Sequence, residues 1–254
     1  MTETIKQGDF IQFDFVGRIK VTNIIFDLTV ADVAKKEGVF DEKREYKYAT
    51  AIIGEEMLIK GLDKQLEGKE IGKEYSFEVE PELAFGQRNP KMVQITNLAK
   101  FANSRLNPMP GMQVNVDGLL ATVKSVSGGR VILDFNHPLA GKALSYWIKV
   151  NKKVTDLKEK LKIVTDIFGV EAETTIDGKK VIIKGAELGK LPKEVSDPLK
   201  EKIKKFIPEL KESEIILENA KEHKHEAEEH AHEAHEHEHG TAETEKKAKQ
   251  GIVA

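Results

Sequence analysis

Alternation of apolar and polar side chains marks the first strand of this chain. From Gly8 to Val16, Ile11, Phe13 and Phe15 fall on one face and Gln12, Asp14 and Val16 on the other, and Gly17 ends the run. The β-branched and aromatic stretch Val21 to Leu28 predicts a second strand that pairs with it as a hairpin. The charged segment Ala31 to Arg44 reads as a surface excursion with a helical turn or two before Gly38, and Tyr46 to Ile53 predicts the next strand. Leu62, Gln65 and Leu66 at helical spacing predict a short helix closed by Gly68. Tyr75 to Glu80 then alternates strictly, with Tyr75, Phe77 and Val79 on one face.

The pattern changes after Gly86. Gln87 to Pro110 carries three of the eight prolines and no usable periodicity. Met112, Val114 and Val116 alternate again, and Leu119 to Val126 with Arg130 to Phe135 predicts a hairpin about Gly128-Gly129. Residues 88–137 thus read as an inserted domain with strands of its own, and Leu144 to Val150 returns to close the first sheet. The first domain is therefore discontinuous, residues 1–87 and 138–150.

From Asn151 a further unit begins, residues 151–219. Leu157, Leu161, Val164 and Phe168 predict an amphipathic helix stopped by Gly169. Ala172 to Ile176 and Lys180 to Lys184 flank Asp177-Gly178 as a hairpin, Ser196-Asp197-Pro198 caps a second helix carrying Leu199, Ile203, Phe206 and Ile207, and Ser213 to Glu218 supplies a last strand. The order α-β-β-α-β makes a small α+β layer close to the lower size limit for independent stability, so this unit is expected either to dimerise or to dock on the first domain. Residues 220–254 hold no aromatic residue and too little apolar surface to offset chain entropy, and are expected to be a disordered His/Glu-rich tail.

Composition narrows the function classes. A chain of 254 residues, 39% hydrophobic and 33% charged, with net charge -3, gives no reason to expect a nucleic-acid or membrane partner. The absence of cysteine excludes disulfides and thiolate chemistry. The N-terminal MTETIKQGDF has no signal-peptide core and no run approaches the roughly 20 apolar residues of a membrane span, so the expected location is the cytoplasm.

Three blocks carry a family likeness: VGRIKVTNIIFDLT, IIGEEMLIKGLDKQLEGKEIGKEYSFEVEPELAFG and LDFNHPLAGKALSYWIKV. They resemble the FKBP-type peptidyl-prolyl cis/trans isomerases, and among these the SlyD-like long archaeal FKBPs with a second domain inserted in a flap. The resemblance covers roughly Gly8 to Val150 and implies an α+β fold: a small antiparallel β half-barrel with a short helix, an inserted β-rich flap domain and a C-terminal α+β domain. It also implies that this last domain forms a homodimer.

Prolyl isomerisation needs no nucleophile and no cofactor. Its barrier of about 20 kcal/mol comes from amide resonance, and a dry apolar cup favours the less dipolar twisted amide. The resemblance maps such a cup onto Phe26 and Asp27, the Phe-Asp pair; onto Phe85 and Tyr146, its flap and closing-strand aromatics; and onto Phe15, Leu58, Ile59 and Leu62, its walls and floor. Leu62 stands where macrolide-binding relatives have tryptophan, and Phe85 lacks a tyrosine hydroxyl, so isomerase activity with weak macrolide affinity is implied. Each of these apolar residues would serve equally as core of a small β domain.

In the insert, Met92, Phe101, Leu106, Met109 and Met112 form either a surface for unfolded chains, as SlyD-like proteins have, or the insert's own core. Seven of the eight histidines, His223, His225, His230, His232, His235, His237 and His239, lie in the tail between glutamates. They suit nickel, zinc or copper and resemble the SlyD tail; a solubilising acidic tail is the alternative. The eighth, His137, reads as a hinge at the return from the insert. The expected function is a cytosolic prolyl isomerase with chaperone activity on unfolded or nascent polypeptides with X-Pro bonds. The alternative is a non-catalytic holdase or nickel/zinc-handling protein on the same scaffold.

Overall fold

The computed structural model describes residues 3–102 and 106–220. Strand β1 (Phe10–Ile19) is followed by β2 (Ile25–Leu28), helix α1 (Ala31–Lys36), β3 (Ala49–Ile52), helix α2 (Lys60–Leu66) and β4 (Glu74–Val79). The chain then leaves this sheet to form β5 (Val93–Asn97), a single turn α3 (Ala99–Ala102), β6 (Gln113–Val116), β7 (Leu119–Ser127) and β8 (Arg130–Asp134). It returns as β9 (Leu144–Val154), which lies antiparallel between β1 and β4. The first sheet runs β2-β1-β9-β4, with β3 also on β1, and the four strands made between β4 and β9 form a second sheet, β5-β8-β7-β6.

The C-terminal ends of β1 and β9 extend past their sequence limits. Gly17 does not end β1: it pairs with Tyr146, and the strand runs on to Ile19. Nor does a new unit begin at Asn151, because β9 continues to Val154 opposite Phe10, across a bulge between Gln12 and Phe13. The second strand, β2, starts at Ile25, since Val21 is exposed in the turn before it. The proline-rich segment hides β5, whose short alternation Val93-Gln94-Ile95-Thr96 the sequence reading passed over.

Helix α4 (Leu157–Ile167) opens the C-terminal part, capped by the Asp156 carboxylate, which accepts from the Glu159 N–H. After it come β10 (Ala172–Asp177), β11 (Lys180–Gly185), helix α5 (Lys193–Phe206) and β12 (Glu214–Asn219). β12 lies parallel to β11 after the crossover through α5. The hairpin turn is Gly178-Lys179, since Asp177 already pairs with Lys180. The Ser196-Asp197-Pro198 cap is also corrected: α5 begins at Lys193, behind Pro192, and Pro198 lies inside it. The bonds of an amphipathic face carrying buried Ile203 outweigh the one backbone bond that Pro198 removes.

β1 is buried on both faces, which the alternation did not foretell. Ile11 and Phe13 enter one core with Leu62, Leu66, Phe77, Tyr146 and Ile148. On the opposite face Phe10, with Ile52 and Val154, joins Leu161, Val164, Ile183 and Ile203 of the C-terminal part in a second core. The polar Gln12 on that face is buried too and donates to the Glu159 carboxylate at 2.6 Å. Thus α4 and α5 cover the back of the first sheet; the small α+β layer docks within its own chain.

Phe10, 1% exposed, links the two parts, whereas Val21 is 88% exposed. Phe10→Ala is expected to lose about 3–5 kcal/mol in a urea titration, and Val21→Ala less than about 0.5. Equal midpoints for the two variants would show that the second core is not built on Phe10.

Candidate functional site

The period-two rule puts Phe15 and Gly17 of β1, Tyr146 of β9 and Phe77 of β4 on the same side of the first sheet. In register, Gly17 and Phe77 flank Tyr146. Phe26 of β2 meets Tyr146 edge-on at 5.7 Å between ring centres and 83° between planes, and Phe15 lies 6.3 Å from it. Gly17 explains this arrangement. A Cβ there would lie 2.6 Å from Phe26 Cζ and 3.1 Å from Tyr146, so only glycine leaves room for the phenyl ring over the strand. Leu58 and Ile59 precede α2, partly buried against the same core, while Leu62 on α2 is fully inside it. Phe85 follows the single 3-10 turn Pro81–Leu83 and packs on the core's edge.

Six aromatic or aliphatic side chains assigned from the sequence, Phe15, Phe26, Leu58, Ile59, Phe85 and Tyr146, therefore share one core surface, and all but Tyr146 stay partly exposed. The seventh, Leu62, is core. Asp27 lies on the rim. Its carboxylate accepts from Arg44 Nη2 at 2.6 Å, and the same nitrogen donates to the Leu28 carbonyl at 2.6 Å. Arg44 sits over the Tyr46 ring, which stacks on Phe40 at 5.2 Å. The charged excursion is thus the support of Asp27, a role that no local pattern in ADVAKKEGVFDEKR signals. Both partners are nearly half exposed, so this pair orients the carboxylate more than it stabilises the fold.

Burial, and secondarily the Asp27 charge, push the Tyr146 phenol up to about 12. It stays protonated through the physiological range. The cup therefore contains a neutral O–H donor among apolar walls.

The two legs of the insert are tied where they meet the sheet. The Asn89 N–H donates to Asn136 Oδ1 at 2.8 Å and Asn136 Nδ2 returns a bond to the Asn89 carbonyl at 3.0 Å. The Gly141 N–H donates to the Gly86 carbonyl at 2.8 Å. Buried Asp134 pairs with Arg88. Burial works to raise its pKa, but bonds from Asn136 and the nearby Arg88 and Lys124 cations hold it below the usual carboxylate range. His137, on the returning leg, stacks flat on Phe85, 4.4 Å between ring centres and 1° between planes, and its Nδ1 accepts from the Leu139 N–H. The hinge histidine thus abuts the cup.

The insert separates its assigned residues. Phe101 is 7% exposed and packs with Val114, Val123 and Leu133, so of the two readings it takes the core one and does not serve as a substrate surface; Leu106 and Met112 lie against the same cluster. Met92 and Met109 are exposed. Sequence reading missed Ile95, Leu119 and Leu120, which are more than half exposed. Two adjacent leucines beside the Asp117-Gly118 turn were the available signal, since a strand must send one of them to each face. The seven tail histidines, 223 to 239, lie outside the described residues. Among the described residues no group of three histidine or acidic side chains could hold a metal ion, and no helix is long and apolar enough to cross a membrane.

Comparison with known proteins follows this geometry. Residues 1–102 match the family model for FKBP-type peptidyl-prolyl cis-trans isomerase, and residues 92–139 match that described as FKBP26, IF domain. A short-type peptidyl-prolyl cis-trans isomerase of Methanocaldococcus jannaschii is 33% identical over 150 residues, 59% of this chain and 94% of that protein. A probable FKBP-type 16 kDa peptidyl-prolyl cis-trans isomerase of Pseudomonas fluorescens is 36% identical over 140 residues, 53% of this chain and 89% of its own. The SlyD isomerase of Vibrio cholerae is 28% identical over 139 residues, covering 51% and 64%.

Two outcomes are expected from the cup. Gly17→Ala displaces the Phe26 ring and lowers stability by about 1–3 kcal/mol, read by chemical denaturation, with a changed near-ultraviolet spectrum; an unchanged spectrum would mean the ring does not need the gap. The Tyr146 phenol is raised in the folded state, so the stability it contributes is complete below its unfolded value near 10 and is lost as pH climbs from there towards about 12. Denaturation of wild type and Tyr146→Phe should therefore diverge across that interval, and parallel curves would remove the phenol from the account.

Proposed function

The chain belongs to the family of FKBP-type peptidyl-prolyl cis-trans isomerases, and from that premise we propose that it is a folding helper that joins catalysis at the aromatic cup to client holding by the insert. As a peptidyl-prolyl isomerase of this type it acts on proline-containing polypeptides and needs no cofactor for catalysis. The observation that carries the reading is Tyr146: a buried, protonated phenol flanked by Phe15 and Phe26, with Asp27 on the rim.

In this reading the prolyl ring rests against Phe26, Ile59 and Phe85. The apolar surroundings favour the twisted amide, whose resonance and dipole are reduced, over the planar ground state. Tyr146 donates its O–H to the substrate carbonyl or to the prolyl nitrogen as that nitrogen gains its lone pair. This supplies the hydroxyl that Phe85 lacks. Asp27, held by Arg44, fixes the polar edge of the cup and adds to the effect of burial in raising the phenol's pKa. Exposed Met92, Ile95, Met109, Leu119 and Leu120 offer the insert an adaptable apolar surface for unfolded chains, which supports the chaperone half of the proposal. A client bound there keeps its X-Pro bonds at high effective concentration beside the cup.

The other reading, a holdase or a nickel- or zinc-handling protein, draws on the seven tail histidines. Kinetics separates the two. Wild type should accelerate cis/trans exchange in a short proline peptide. Phe26→Ala and Phe85→Ala should each lower kcat/KM at least about tenfold, equivalent to about 1.4 kcal/mol of transition-state binding, and Tyr146→Phe should lower kcat at nearly constant KM. Removing the insert should slow proline-limited refolding of a protein far more than peptide turnover. No acceleration by wild type, alongside suppression of aggregation, would give the site to the holdase reading.

A further inference from the structure

Away from the cup, two open strand edges line one cleft of about 930 Å3. β3 contributes Thr50 to its lining, and β10 contributes Ala172 and Thr174. Among the described residues β3 pairs only with β1, and β10 only with β11.

The direction of the free amides follows from the ladders. The Ile53 N–H donates to the Asp9 carbonyl and the Ile53 carbonyl accepts from Gly8, so Ile53 bonds towards β1. Alternation turns Ala51 and Ala49 the same way, and Ile52 and Thr50 outward. The Ile52 N–H is taken up by the Met57 sulfur at 3.2 Å, which leaves Thr50. In β10 the two-residue turn makes Asp177 and Lys180 the last bonded pair, so Asp177, Thr175 and Glu173 bond to β11. Thr174 and Ala172 therefore turn their N–H and C=O groups to the cleft.

We infer that the cleft between β3 and β10 is a docking site for an extended segment of unfolded polypeptide, held by main-chain hydrogen bonds to Thr50 and Thr174. An extended chain carries N–H and C=O groups along both sides and can complete two opposed edges, as in strand addition. The cleft presents both signs of charge, Lys158 and Lys162 with Asp166 and Glu173, so its walls do not select a client by net charge. Main-chain recognition is likewise indifferent to sequence, and the residue before a proline is already biased to the extended form. The inference rests on the client-holding reading above and adds to it a second holding surface, built from the C-terminal part and the back of the isomerase sheet.

The test uses the full chain and, as probe, a reduced and S-alkylated protein that cannot refold. Amide hydrogen exchange at Thr50 and Thr174 should slow when the probe is added. Thr50→Pro and Thr174→Pro each delete a donor that the native ladders do not use, and each should weaken probe binding about three- to tenfold while turnover of a short proline peptide is unchanged. Should either variant fail to fold, exchange in the wild type decides. Unprotected amides, or proline variants that bind like wild type, overturn the site while leaving the insert as the holding surface. Protection that needs no probe also overturns it: growth with protein concentration assigns the cleft to a second copy, and independence of concentration assigns it to the chain's own tail. Absence of any probe binding overturns the client-holding reading together with this one.

Discussion

The antiparallel ladder between β1 and β9 is the constraint on which the rest of the molecule depends. It joins Phe10–Ile19 to Leu144–Val154, so the first sheet is not complete until the chain has passed through the whole insert, although β2 and β3 pair with β1 before it. The ladder then fixes two surfaces at once. Odd-numbered residues of β1 and, as far as Val150, even-numbered residues of β9 face the cup side; on the other face Phe10 and, past the bulge, Val154 meet the C-terminal part, while Val16 packs with Leu28 and Ala34. A slip of one residue would send Tyr146 to the back of the sheet and Phe10 to the cup. Burial on both faces makes such a slip costly, and the bulge at Gln12 adjusts the register only beyond the cup, where β9 runs on to meet α4.

Within that frame the cup is made by an omission. The aromatic rings converge because β1 has no side chain at Gly17, opposite Tyr146, so the ring from β2 can reach across the strand. The polar elements are then added from outside the sheet: Arg44 from a loop braces Asp27, and His137 from the returning leg of the insert lies flat on Phe85. Each is a side chain that reaches the cup from outside the strands of the sheet.

This division accounts for what could be read from the sequence. Strands buried on one face announce themselves by alternation, and the short helix by its glycine stop, so the first sheet, most of the insert and the order of the C-terminal elements were legible; the aromatic residues of the cup came only through the family resemblance. Features decided by tertiary contact were not. Phe10 sits at the head of a strand whose polar-looking face is buried by helices 150 residues further on, as its neighbour Gln12 shows by bonding Glu159. Gly17 looks like a strand end because glycine so often is one, and only the Phe26 ring reveals its use. β5 alternates over only Val93-Gln94-Ile95-Thr96, too short a run to stand out between prolines, and α5 tolerates Pro198 because its apolar stripe is packed. Phe101 and Met109 share hydrophobicity but not fate: one fills the insert's core and the other does not.

The knotting of the two legs at Asn89 and Asn136 has a consequence for how such a chain can be remodelled. Reciprocal hydrogen bonds bring the outgoing and returning strands within contact of each other at the base of the insert. As far as the host sheet is concerned, everything beyond that point closes a loop of only a few residues, since the closure entropy is met by the insert's own fold and grows only logarithmically with length. The insert can therefore be lengthened, shortened or exchanged for another small domain in the course of descent without reopening the question of how β1 finds β9. Modularity here comes from the ties at a junction, the pair of asparagines among them, and the isomerase sheet is indifferent to which small domain lies beyond it.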